Sequence, residues 1–157
     1  MRRVIWGLVL CLAFVPVLYG QQAPTLGPTT GPSLRGPTSF RTANPRLLMK
    51  MRAVYIQRID HDLSGKLADD LAHVSWLRVV KDREKADAIV RGTCFTLKNL
   101  KRLHTEVYIN DRITGKSIWQ DVVRVPYSPP SLPKAVNHAA TEVLADLNHS
   151  IRAAAGR

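Results

Sequence analysis

The chain has 157 residues, 23 of them basic and 12 acidic, for a net charge of +11. That length fits one domain with a modest core. Two cysteines, one of them inside an apolar leader, exclude a disulfide framework, and the positive charge favours anionic partners over cationic ones without choosing among nucleic acid, lipid and acidic glycan.

Residues 1–20 read as a secretory signal. Met1-Arg2-Arg3 gives a positive start, Val4 to Tyr19 is uncharged and apolar, and Gly20 supplies a small residue before a cut. The apolar stretch is short of the roughly 20 residues a membrane-spanning helix needs, so the expectation is a mature chain with no integral span, periplasmic or secreted; the alternative is retention by an uncleaved anchor. Leu10 stands where a lipidated Cys11 would need a small residue, so lipidation there is rejected. Residues 21–46, with prolines at 24, 28, 32, 37 and 45, read as a disordered Pro/Gly-rich tether. The acidic residues all follow it, so the domain at 47–157 carries 18 basic against 12 acidic groups.

Within that domain, apolar residues on both parities predict a buried strand in Leu47–Ile59. Asp60 and Asp62 offer helix caps, and Leu63, Leu67, Leu71 and Val74 recur at helical spacing. Trp76–Val80 reads as a second strand, which a strand–helix–strand order makes parallel to the first. Ala88–Leu97, His104–Asn110 and Lys116–Val125 then predict an antiparallel meander. Ser131, followed by Pro133, opens a last helix whose stripe of Val136, Ala140, Val143, Leu144, Leu147 and Ile151 faces a sheet. The predicted class is α/β (α+β): a mixed sheet of about five strands in the order β-α-β-β-β-β-α, with two helices on one face.

No local motif supports catalysis or a cofactor. Asp60-His61-Asp62-Leu63-Ser64-Gly65 opens like a calcium loop, but position twelve is Leu71 where a bidentate glutamate belongs. Ile113-Thr114-Gly115-Lys116-Ser117 ends like a phosphate loop, yet Asn110 replaces its first glycine and the context is a hairpin. The five histidines have no metal-site spacing; His138 and Glu142 share a helical face as a solvated pair. Cys94, in an apolar run, reads as a buried thiol. The candidate ligand-binding residues are Lys98, Lys101 and Arg102 at one hairpin tip and Arg112 and Lys116 at the next. Aromatics do not interleave with these tips, which disfavours nucleic acid.

Two stretches carry a resemblance. Ala86-Asp87-Ala88-Ile89-Val90-Arg91-Gly92-Thr93 resembles an "AD-apolar-x-G" strand, and Val107-Tyr108-Ile109-Asn110-Asp111-Arg112-Ile113-Thr114-Gly115-Lys116-Ser117-Ile118-Trp119 a "D-x-x-TG-x-x-apolar-W" hairpin. Both are similar to stretches in small envelope domains of the kind found in TolB's amino-terminal domain, CsgG and LpoB. The resemblance implies a mixed sheet with two helices, an envelope location and a binding or scaffolding role. From the residues themselves, Asp87 is expected to cap or turn before a strand, Gly115 to make a tight turn, and Trp119 and Tyr108 to meet across the hairpin.

The functional expectation is an exported, noncatalytic envelope binding or adaptor domain contacting a protein or anionic polymer. The alternatives are a small periplasmic hydrolase using groups dispersed among Asp60, His61, Asp62 and His104, and a basic nucleic-acid-binding module.

Overall fold

The computed structural model describes residues 39–156. The predicted signal at 1–20 and the tether up to residue 38 lie outside them. Six strands form one mixed sheet with three α-helices, an α+β fold. In chain order these are β1 (Ser39–Thr42), α1 (Pro45–Lys50), β2 (Ala53–Ile56), α2 (Leu63–Ala72), β3 (Arg78–Val79), β4 (Ala88–Leu97), β5 (Arg102–Asp111), β6 (Ser117–Pro126) and α3 (Leu132–Ala154). The spatial order is β1-β6-β5-β4-β2-β3.

The expected parallel pair and meander are both present. β2 is parallel to β3 and to β4, while β4, β5, β6 and β1 run antiparallel in succession. The chain departs from expectation at the domain's start. Residues 39–46, assigned to the tether, form β1 and begin α1; Asn44 caps that helix by accepting a hydrogen bond from the Leu47 amide at 3.0 Å, and Pro45 sits in its first turn. The first predicted strand is accordingly a helix followed by the short β2. The counts become six strands and three helices because β1 gains its stability from pairing with β6, some 80 residues away, rather than from its own composition.

All three helices pack together on one face, with α1 and α2 each against α3 and α3 against β1, β5 and β6. Leu63, Leu67 and Leu71 of α2 and Val136, Ala140, Val143 and Leu147 of α3 are buried there, each large side chain contributing about 1.5–3 kcal/mol by leaving water. Trp119 is fully buried on this face and donates from Nε1 to Ser150 Oγ at 2.8 Å. The expected meeting of Trp119 with Tyr108 does not occur. Trp119 stands opposite Ile109 and Tyr108 opposite Gln120, so the two rings lie on opposite faces.

Acidic side chains fix the joints. Asp87 accepts from the backbone amides of Arg52 and Ala53, both at 2.9 Å, and so ties the start of β2 to the start of β4. Asp111 accepts from the amide and hydroxyl of Thr114, both at 2.6 Å, and Gly115 takes a φ of 69° to close the β5–β6 hairpin. The caps expected of Asp60 and Asp62 are absent: His61 and Asp62 are left-handed and neither carboxylate accepts a capping bond. Ser131 does stand before α3, but its hydroxyl engages Ser128 instead of the helix.

Gly92 sits opposite Val107 in the middle of the β4–β5 ladder, where a Cβ would collide with the Glu106 carbonyl oxygen. Gly92→Ala is therefore expected to destabilise the domain by about 1–3 kcal/mol, read as a lower midpoint in urea unfolding with an unchanged slope.

Candidate functional site

The residues predicted as one basic surface occupy two ends of the sheet. Lys98 and Lys101 are exposed at the β4–β5 turn with Arg102 beside them, while Arg112 and Lys116 lie at the β5–β6 turn. The ten residues of β5 separate the groups by about 30 Å. Arg112 is engaged in structure, donating from Nε to the Ala86 carbonyl at 2.7 Å and from Nη1 to Glu84 at 3.3 Å.

The groups proposed for a dispersed hydrolase also fail to converge. His61 and Asp62 line a groove of about 370 Å³ with Lys66, Val136 and Asn137 on the helical side. His104 lies on the opposite face of the sheet, which removes the residue basis of that alternative. Among the described residues no group of three histidine, cysteine, aspartate or glutamate side chains is placed to hold a metal. Cys94 is buried, and burial pushes its thiol upward from the usual range. His138 and Glu142 form the exposed pair expected, at 3.7 Å.

The face that carries no helix among the described residues holds the more organised site. Alternation along β4, β5, β6 and β1 places Arg91, Thr93 and Phe95, Arg102, His104, Glu106 and Tyr108, Gln120, Val122 and Arg124, and Ser39 and Arg41 on it. A hydrogen-bonded chain runs down β5. Arg124 Nε donates to His104 Nδ1 at 3.2 Å, which obliges the imidazole to carry its proton on Nε2 and donate it to Glu106 Oε1 at 2.8 Å. Tyr108 donates its hydroxyl to Glu106 Oε2, also at 2.8 Å. Phe95 lies against the His104 ring with centroids 4.8 Å apart.

These contacts set the electrostatics. The His104 bond first, then the Tyr108 bond, holds the Glu106 carboxyl below its ordinary range, and the same bond raises the Tyr108 phenol. The only acid among these four strands' open-face residues is thus stabilised as an anion with both oxygens engaged. Arg41 and Arg91 are exposed, without an ion-pair partner among the described residues. The register aligns Arg91, Tyr108, Gln120 and Arg41 in one row across β4, β5, β6 and β1. In the sequence the turns stand out for their clustered basic residues. The signal for this face was the alternation itself: Arg91-Thr93-Phe95 on one strand and Arg102-His104-Glu106-Tyr108 on the next.

Known proteins agree with the fold. No family model matches the chain, and neither does any curated protein. Among solved structures it is similar to PelC from Paraburkholderia phytofirmans, described as a dodecamer: 12% identity, 71% of this chain and 98% of that one covered, TM-score 0.52. The fold resembles that of PelC. A second crystal form of PelC gives 12% identity over 71% and 97% of the two chains, with a TM-score of 0.50. A DUF4136 family protein from Bacteroides thetaiotaomicron is 9% identical, with 73% and 96% covered and a TM-score of 0.49. At 12% identity the likeness to PelC extends to the small α/β fold alone. No helix among the described residues is long and apolar enough to cross a membrane.

One further group lies under the helices. Asp121 of β6 is fully buried, and neither carboxyl oxygen has a hydrogen-bond partner among the described residues. Burial, followed by the charge of Asp146, pushes its carboxyl up to about 7. An unfolded aspartate titrates near 4. Below that pH both states are protonated and the group costs nothing. Between 4 and 7 the unfolded chain ionises while the folded one keeps its proton, so stability falls as pH rises, by about 4 kcal/mol in all. Asp121→Asn is expected to flatten this loss: chemical denaturation at pH 4 should show little difference from the parent, and at pH 8 a clearly more stable variant.

Proposed function

We propose that the chain is an exported, noncatalytic envelope domain that binds an anionic partner on the open face of its sheet. The carrying observation is the charge of that face, where Arg41, Arg91 and Arg102 stand against one glutamate already engaged by His104 and Tyr108. The signal-like start supports export and an envelope location. A binding role suits a polar, aromatic-bearing surface better than it suits the scattered titratable groups.

Electrostatic binding of this kind releases counterions and so weakens steeply with salt. The full chain should be retained on an immobilised polyanion at low salt, elute as the salt is raised, and ignore both a neutral and a positively charged matrix. Replacing both Arg41 and Arg91 by Glu should abolish retention, whereas Lys98→Glu with Lys101→Glu should weaken it only slightly. Retention carried by the lysine tip and untouched by the arginine pair would contradict the open-face assignment.

A further inference from the structure

We infer that the partner held on the open face is a carboxylated polysaccharide, laid across the strands along the row Arg91–Tyr108–Gln120–Arg41; this rests on the open-face reading and names its ligand class. The row has a definite chemical order. Guanidinium groups stand at its two ends, on β4 and β1, and neutral hydrogen-bonding groups, a phenol and a carboxamide, stand between them on β5 and β6. At about 4.8 Å between strands, the two arginine backbones are roughly 14 Å apart.

A uniform polyanion such as polyphosphate would be met best by unbroken positive charge. A chain whose acid groups are separated by hydroxyl-bearing rings needs cations at intervals, with neutral donors and acceptors between. Planar guanidinium forks match carboxylates in a bidentate manner. Gln120 offers both a carbonyl oxygen and an amide donor to hydroxyls. The Tyr108 hydroxyl proton is committed to Glu106, which leaves its oxygen as an acceptor for a sugar hydroxyl and fixes the phenol in place.

The remaining features of the face are consistent with that ligand. Four residues further along β4, Phe95 is 44% exposed and braced by the His104 ring, an apolar platform of the size of a sugar's C–H face. One row nearer lie Thr93 and Glu106, the latter with both oxygens occupied. Stacked bases of single-stranded nucleic acid would need several exposed rings in succession along the groove. Here the Phe95 and Tyr108 rings of β4 and β5 are separated by the Thr93–Glu106 row, which favours the sugar polymer.

Calorimetric titration of the full chain with polygalacturonate, polyphosphate, a single-stranded oligonucleotide and neutral dextran tests this. Polygalacturonate should bind more tightly than the other polyanions at equal charge concentration, and dextran should not bind. Arg91→Gln should weaken polygalacturonate at least tenfold with an unchanged melting temperature. Gln120→Leu should weaken it severalfold and leave polyphosphate unaffected. Equal affinity for every polyanion, or a Gln120 variant that loses all of them alike, would overturn the polysaccharide assignment while leaving an anion-binding face. Binding insensitive to Arg91, or no binding of any polyanion, would overturn both.

Discussion

Because α1, α2 and α3 lie together on one face of the sheet, every strand of the meander must meet two different environments at once. Residues of one parity pack under helices, while those of the other parity remain toward water unless something else covers them. This constraint sorts the side chains of β4, β5 and β6 into a core set, including Val90, Cys94, Leu103, Val107, Ile109, Trp119 and Val123, and an open set rich in arginine. It also makes the open set rigid. Adjacent strands hold its members at fixed spacing, and the Arg124–His104–Glu106–Tyr108 chain limits rotamer freedom on β5. Less ordering is then required when a ligand binds.

The same division makes Asp121 unusual. Its place on β6 belongs to the core parity, opposite Val107, and α3 brings Asp146 and Glu142 near it. Charge there is opposed by burial and by like-charged neighbours, so the carboxyl is held as an acid well above the pH at which free aspartate ionises. On β1, Phe40 is the residue paired with Asp121, and its ring meets His149 of α3 edge-on at 5.4 Å. The short first strand thus closes one side of this acidic spot, and the domain's outer edge is coupled to a core group sensitive to pH.

Much of this was legible in the sequence, for identifiable reasons. The meander could be read because Ala88–Leu97 and the strands after it are long and alternate regularly, and because Asp111, Thr114 and Gly115 spell a turn. The helices showed their stripes. β1 was hidden because Ser39-Phe40-Arg41-Thr42 is short, follows a proline-rich run and is a strand only by virtue of β6. α1 was hidden although Asn44 and Pro45 are a recognisable start, since six residues are too few to display a period. Charge density along the sequence points to the hairpin tips with Lys98, Lys101, Arg102, Arg112 and Lys116; which face of a strand is open depends on where the helices pack, and no single strand encodes that.

The central claim is that recognition belongs to the open sheet face and not to the hairpin tips. Amide NMR of the isotopically labelled chain, recorded during titration with polygalacturonate, addresses it residue by residue. The account predicts concerted shifts at Arg41, Arg91, Tyr108 and Gln120, with smaller changes toward Phe95 and quiet signals at Lys98, Lys101 and Lys116. Shifts centred on those lysines, with the row across β4, β5, β6 and β1 unmoved, would contradict it.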